Sequence, residues 1–178
     1  SAASDVYKRQ DVDIAIIETG LGGRLDSTNV VNPSLTVMTP ISLDHRDILG
    51  NTIEKIAKEK AGIIKRGVPL ITANQVNNVS KILEKRIREK ESVMHTCPNP
   101  ESVKLSPDGT SFEVYGNNFN TSLIGEHQAQ NAALAMATIK LFNPKISYET
   151  IGKGLRNVHW PGRLQLVSDK TYYCLLYT

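Results

Sequence analysis

The 178-residue sequence is long enough for one ordinary domain and the start of a second, with 40% hydrophobic and 22% charged residues. A net charge of +3 is too small to favour nucleic acid or a membrane surface as partner, and no apolar run approaches the roughly 20 residues of a membrane span. The two cysteines, Cys97 and Cys174, have no metal-binding spacing, which predicts reduced thiols and a cytoplasmic protein.

Both ends of the chain differ from the rest of the sequence. Residues 1–10 (SAASDVYKRQ) and 174–178 (CLLYT) have no periodicity that joins the flanking pattern, and both resemble translated adaptor sequence. We therefore expect both segments to be non-native and leave them out of the fold prediction.

Three short apolar runs predict neighbouring strands of one sheet. They cover residues 13–18, 35–41 and 68–72, and Pro40 predicts a bend near the end of the second. A strong helical pattern separates the second run from the third. Nearly continuous apolar strands alternating with helices are typical of a mostly parallel sheet flanked by helices, which predicts an α/β fold.

Four segments have helical periodicity. They are residues 51–67, 77–91, 127–142 and 147–157. Between the second and third helices, prolines and glycines punctuate short segments, and residues 111–116 (SFEVYG) alternate as an edge or hairpin strand would. Residues 160–167 (WPGRLQLV) have the pattern of a linker that runs into a new strand.

Polar side chains follow the first two predicted strands. Glu18 ends the first, and Asp44 and His45 follow the second. Because ligands bind beyond the carboxyl ends of parallel strands, an acid and an imidazole at this edge could share Mg²⁺ or Mn²⁺. A capping acid and a hydrogen-bonded histidine explain the same pattern equally well.

Lys60 falls in the middle of an apolar helical stripe. The stripe consists of Ile53, Ile56, Ala57, Ala61 and Ile64. A lysine on a buried face must extend its amine to water, pair with an anion such as a phosphate, or lose its charge. A neutral amine can also react with CO₂ to form a carbamate, a metal-binding carboxylate.

The glycine-rich segment 20–29 (GLGGRLDSTN) follows Glu18. Its glycines permit positive φ angles and close backbone approach. It lacks the G-x-G-x-x-G dinucleotide pattern, and the phosphate-loop pattern G-x-x-x-x-G-K-[ST] occurs nowhere in the chain. A nucleotide site would therefore be incomplete.

Five ordered motifs resemble the bacterial folylpolyglutamate synthase and dihydrofolate synthase family of the ATP-dependent Mur ligase superfamily. They are ETGLGGRLDSTNV, SLDH, EKAGI, GEHQAQNAALA and WPGRLQ. The resemblance, from about residue 11 to about 167, implies a central, P-loop NTPase-like ATP-binding domain over 11–158 with a small β-hairpin insertion. Residues 159–173 would form the hinge and the start of the C-terminal ligase domain.

The resemblance also implies roles for individual residues. Glu18 would bind Mg²⁺ beside the nucleotide's terminal phosphates, and His45 would bind a second Mg²⁺, with Asp44 orienting it. Lys60 would be the family's carbamylated lysine. The remaining matches are Leu25, Asp26 and Ser27 for the pterin-bearing substrate, and Asn131, His127 and Arg163 for ATP.

The implied activity is ATP-dependent addition of L-glutamate to folate, to dihydropteroate, or to both, by a monomer. The phosphate-binding loop and most of the C-terminal domain are absent, so we expect these 178 residues to be inactive alone. A muramyl-peptide ligase shares the lysine and asparagine motifs but would lack the segment 20–29. A nicotinamide-dependent oxidoreductase and a non-catalytic nucleotide-binding module are the further alternatives.

Overall fold

A computed structural model describes residues 12–162, 165–168 and 171–173 of the chain. The chain divides into two compact units, the first formed by residues 1–70 and 75–95 and the second by residues 71–74 and 96–178. Over the described ranges, no helix is long and apolar enough to cross a membrane. The predicted non-native ends lie outside these ranges.

A parallel sheet of three short strands organises the first part of the chain. The strands are β1 (Thr36–Met38), β2 (Leu70–Thr72) and β3 (Met94–Thr96), in the order β1-β2-β3. The backbone N–H of Leu70 donates to the carbonyl oxygen of Val93 at 2.9 Å. The apolar runs at 35–41 and 68–72 therefore contain strands, as predicted, whereas β3 was not predicted.

Helices connect these strands. A single turn, α1 (Arg46–Leu49), precedes α2 (Ile53–Lys60), and α3 (Asn77–Glu89) connects β2 to β3. Thr52 caps α2 by accepting a hydrogen bond from a backbone N–H. The α-helical part of the predicted helix 51–67 is shorter than expected, because α2 tightens into a 3-10 turn at Ala61–Ile63.

The core of the first unit is apolar and contains most of the predicted stripe of α2. Its buried members are Met38, Ile41, Ile56, Ala57, Ala61, Ile64, Leu70, Val79, Leu83 and Ile87. Ile53 is half-buried and packs against this core. The predicted inward face of α2 is thus confirmed.

The prediction of a buried strand at residues 13–18 is wrong. No strand is present there, and Ile14 and Ile16 are 59% and 93% exposed. An apolar run becomes a buried strand only when a neighbouring strand pairs with its backbone and other elements cover its side chains. Within the described residues this run has neither.

The second unit contains an antiparallel sheet and two helices. The strands β4 (Glu101–Ser106), β5 (Gly109–Val114) and β6 (Asn117–Thr121) pair in that order. The helices are α4 (Glu126–Phe142) and α5 (Tyr148–Arg156), both close to their predicted bounds. The buried core is Phe112, Val114, Phe119, Ala129, Ala132, Ala133, Met136, Ile151 and Leu155.

The predicted alternating strand at 111–116 is the central strand β5 rather than an edge strand. The predicted hairpin is accordingly part of a three-stranded sheet, because one backbone edge of β5 pairs with β4 and the other pairs with β6. After the linker, β7 (Gln165–Ser168) and β8 (Thr171–Tyr173) form a separate antiparallel pair, which confirms the predicted strand.

Candidate functional site

Asp26 organises the glycine-rich segment 20–29. Its Oδ2 accepts a hydrogen bond from the backbone N–H of Leu21 at 2.8 Å. Its Oδ1 accepts from the backbone N–H of Thr28 at 2.9 Å and from the Thr28 hydroxyl at 2.6 Å. These bonds, led by the Thr28 hydroxyl, lower the pKa of Asp26 to about 2. Asp26 also caps the 3-10 turn Ser27–Val30.

The three residues expected to contact the pterin-bearing substrate therefore differ in availability. Both carboxylate oxygens of Asp26 bind its own segment. Leu25 is 79% exposed, and Ser27 is exposed as well. Leu25 and Ser27 can contact a ligand directly, whereas Asp26 fixes the backbone that presents them.

The segment packs closely against the end of α2 through glycine. A Cβ added at Gly62 would lie 2.4 Å from the Cα of Arg24, and a Cβ at Gly23 would lie 2.8 Å from the carbonyl oxygen of Glu59. Real side chains do not approach this closely, so both positions require glycine. Arg24 donates its backbone N–H to the carbonyl oxygen of Glu59 at 2.9 Å.

Side chains reinforce this contact. Arg24 Nε lies 3.1 and 3.2 Å from the two carboxylate oxygens of Glu59. The Asn29 amide donates to the carbonyl oxygens of Arg24 at 3.0 Å and Gly62 at 3.3 Å. Lys65 Nζ donates to the Asn29 carbonyl oxygen at 2.6 Å. These roles were not predicted from the sequence, although Glu59 stands beside Lys60 in the EKAGI motif.

Lys60 is the last residue of α2 and is half-buried. Its backbone carbonyl lies 3.0 Å from the position of a Gly23 Cβ, which places it against the glycine-rich segment. Within the described ranges, no carboxylate pairs with its Nζ. The amine of Lys60 is therefore available to a ligand or to CO₂.

The predicted metal ligands Glu18 and His45 are both exposed. His45 Nε2 lies 3.6 Å from Asp44 Oδ2, and the His45 backbone N–H donates to Asp44 Oδ1 at 2.8 Å. The imidazole therefore has its expected neighbour. Among the described residues, no three His, Cys, Asp or Glu side chains converge as a metal site.

His45 lies in a shallow surface depression and has a left-handed backbone, with φ of 50°. The depression is lined by Leu43, Asp44, His45, Arg46, Asp47 and Asn51. A positive φ is uncommon for residues other than glycine, although asparagine, aspartate and histidine adopt it more often than the rest. At His45 this conformation leads the chain into α1.

The expected nucleotide contacts belong to the second unit. His127 and Asn131 are exposed and lie one turn apart in the first part of α4. Gln128 connects them, because its amide lies 3.1 Å from His127 Nε2 and its carbonyl accepts from Asn131 at 3.4 Å. The expected contact Arg163 lies outside the described residues.

Comparison with known proteins gives one family and a set of named relatives. Residues 2–139 match the Mur ligase middle domain family. A dihydrofolate synthase/folylpolyglutamate synthase of Bacillus subtilis is 45% identical over 173 residues, covering 89% of this chain and 40% of the relative. A folylpolyglutamate synthase of Lacticaseibacillus casei is 37% identical, covering 92% and 41%. The chain thus spans about 40% of the length of these relatives.

Solved structures agree with the sequence comparison. A complex of FPGS with AMPPCP and folate has a TM-score of 0.85 and 34% identity, covering 94% of this chain and 44% of that one. Mycobacterium tuberculosis folylpolyglutamate synthase complexed with ADP and AMPPCP has a TM-score of 0.76 and 33% identity, covering 92% and 39%. The resemblance inferred from the five motifs is confirmed, and the chain belongs to the Mur ligase middle domain family.

Proposed function

We propose that this chain is the central part of an ATP-dependent amide ligase that joins L-glutamate to a pterin-bearing carboxylic acid, either folate or dihydropteroate. The observation that supports this proposal most strongly is the match of 94% of the chain to an FPGS complex with AMPPCP and folate. We further propose that the complete enzyme works as a cytoplasmic monomer and that these 178 residues alone are inactive.

The Glu18 carboxylate and the His45 imidazole suit a magnesium ion that is bound jointly by the protein and by substrate phosphates. Mg²⁺ keeps several waters and takes one or two protein ligands together with phosphate oxygens. A site of this kind needs exposed donors rather than a closed cage, and Glu18 and His45 are exposed. We propose that Glu18 and His45 each hold one Mg²⁺, with Asp44 orienting the imidazole. Mg²⁺ bound there would neutralise phosphate oxygens during transfer.

The reaction proposed has two chemical steps. A substrate carboxylate oxygen attacks the γ-phosphorus of ATP, the bond to the bridging oxygen breaks, and ADP leaves an acyl phosphate behind. The glutamate amine then attacks the acyl carbon, loses a proton, and expels phosphate as the amide forms. Leu25 and Ser27 would orient the pterin-bearing acid, while His127, Asn131 and Arg163 would hold ATP.

We propose that Lys60 acts as a carbamate. Lys60 is half-buried, and no carboxylate pairs with its amine among the described residues, which leaves the amine accessible to CO₂. The resulting carboxylate attracts a metal ion that an ammonium group would repel. Lys60→Ala should lower ligation by the complete enzyme at least about tenfold, and bicarbonate or a short-chain carboxylate should restore part of it. Unchanged ligation contradicts the carbamate.

The matched control is Lys58→Ala, since Lys58 is exposed on the same helix. It should ligate as the wild type does. His45→Ala should raise the Mg²⁺ concentration needed for half-maximal activity, whereas His95→Ala, at an exposed histidine of β3, should leave it unchanged. Equal Mg²⁺ requirements for both histidine variants would remove His45 from the ligand set.

The first experiment is ADP release by the chain extended to the length of its relatives. MgATP and glutamate are supplied, and dihydropteroate, tetrahydrofolate or a UDP-muramyl peptide is offered in turn. Turnover with either pterin supports the proposal and identifies the acceptor. Turnover with the muramyl peptide alone supports the muramyl-ligase alternative, and nucleotide binding without ADP release supports a non-catalytic module.

A further inference from the structure

We infer that Arg24 and Glu59 are positioning residues that hold the substrate-contacting segment and Lys60 at a fixed separation. The inference rests on the proposed function. Arg24 directly precedes Leu25, the first expected substrate contact, and Glu59 directly precedes Lys60. The backbone N–H of Arg24 donates to the Glu59 carbonyl oxygen at 2.9 Å, so the two functional positions are joined through their immediate neighbours.

The Arg24–Glu59 contact is reinforced at both backbone and side-chain level. Arg24 Nε lies within 3.2 Å of both Glu59 carboxylate oxygens. Gly62 allows the Arg24 backbone to rest on the turn that follows α2, where a Cβ would lie 2.4 Å from Arg24 Cα. Asn29 bridges the two segments by donating to the carbonyl oxygens of Arg24 and Gly62. We call Arg24, Asn29, Glu59 and Gly62 the loop clasp.

The loop clasp assigns a positioning role to polar side chains that take no part in the proposed reaction and lie between segment 20–29 and the end of α2. Reaction requires the substrate carboxylate and the metal-binding groups to be held within a fraction of an ångström, and displacement by about 1 Å can cost about a hundredfold in rate. The clasp supplies this precision without covering Leu25 or Ser27, which remain exposed. Lys65 extends it by donating to the Asn29 carbonyl oxygen.

The main test is Gly62→Ala in the complete enzyme. The added methyl group forces the segment 20–29 away from the end of α2. We expect the KM for the pterin substrate and the Mg²⁺ concentration for half-maximal activity to rise together, each by about tenfold. The matched control is Gly154→Ala, since Gly154 is also helical and nothing lies within 4 Å of its Cβ position. It should change neither quantity.

A milder variant covers the case in which Gly62→Ala does not fold. The Arg24 side chain is 55% exposed, so its ion pair with Glu59 is weak. Arg24→Ala should therefore raise the KM for the pterin substrate and the Mg²⁺ concentration for half-maximal activity by about two- to fivefold each. Arg24→Lys keeps a cation beside Glu59, so its KM and Mg²⁺ requirement should be close to those of the wild type. A role in stability alone would lower the melting temperature without changing KM or the Mg²⁺ requirement.

Hydrogen exchange at the Arg24 amide tests the loop clasp independently of the proposed ligase activity. The Arg24 amide should exchange faster in Gly62→Ala than in wild type, and at the wild-type rate in Gly154→Ala. If wild type releases no ADP with any pterin, the proposed function fails, and faster Arg24 exchange still supports the clasp as a structural contact. If wild type is active and a folded Gly62→Ala keeps wild-type exchange, KM and Mg²⁺ requirement, the clasp is overturned.

Discussion

Segment 20–29 of the first unit and the aromatic cluster of the second unit are held in opposite ways. The first is fixed by the Asp26 carboxylate, the Asn29 amide and the close approach at Gly62. The second is fixed by rings, since Phe112 and Phe119 have centroids 6.1 Å apart and Phe119 meets Tyr148 edge-on at 6.0 Å. Because Leu25 and Ser27 are exposed, apolar burial does not fix the shape of segment 20–29, and hydrogen bonds fix it instead.

This difference has consequences for stability. Apolar packing depends little on pH or salt, and burying a large side chain stabilises by several kcal/mol. A hydrogen-bonded segment held by a carboxylate contributes less per group and responds to protonation. The two regions should therefore respond differently to core truncation and to acid.

The largest effect is expected from Phe112→Ala. Phe112 is 2% exposed, lies on the central strand β5 and pairs across the sheet with Phe119. Removing its ring should lower the free energy of unfolding by about 3–5 kcal/mol. Urea unfolding measures the loss, and hydrogen exchange should localise it to β5 and β6.

The control for Phe112→Ala is Phe142→Ala, because Phe142 ends α4 and is 49% exposed. That variant should lose less than about 1 kcal/mol. Similar losses for the two phenylalanines would mean that the antiparallel sheet is not packed around Phe112.

A smaller effect is expected from Asp26→Asn. The amide keeps one acceptor but loses the negative charge and the second acceptor, so Leu21 N–H or Thr28 loses its partner. The free energy of unfolding should fall by about 1 kcal/mol at neutral pH. Asp108→Asn is the matched control, at an exposed aspartate in the turn between β4 and β5.

The pH dependence of the Asp26 effect has a definite sign. Folding lowers the pKa of Asp26 to about 2, whereas the pKa of an aspartate in an unfolded chain is about 3.9. The stabilisation is therefore complete above about pH 4 and is lost as the pH falls towards 2. The stability difference between wild type and Asp26→Asn should shrink over this window, and a difference that stays constant contradicts the carboxylate's role.

The sequence predicted elements well where packing follows from local periodicity. The helices α3, α4 and α5 and the strand β2 match because each presents a complete apolar face to a neighbour. The strand β3 was missed because its three residues, Met94–Thr96, are half-buried or exposed and show no apolar alternation.

The candidate site was predictable only at the level of motifs. Lys60 stood out because it interrupts an apolar stripe, and segment 20–29 because of its glycines. The roles of Arg24 and Asn29 depend on contacts with residues more than thirty positions away, which periodicity cannot reveal. Asp26 has a side chain suited to substrate contact, yet its carboxylate oxygens accept hydrogen bonds from backbone N–H groups of its own segment.

The smallest effect is expected from Ile16→Ser, which tests the run that the sequence predicted as a buried strand. Ile16 is 93% exposed, so replacing it with a polar residue should change the free energy of unfolding of the 178-residue chain by less than about 0.5 kcal/mol. Ile56→Ser, at a fully buried position of α2, is the contrasting variant and should be strongly destabilising. If Ile16→Ser costs more than about 1.5 kcal/mol, residues 13–18 pack as a buried strand and do not lie exposed before Glu18. Glu18 would then be held at a strand end, as rigidly as segment 20–29 holds Leu25.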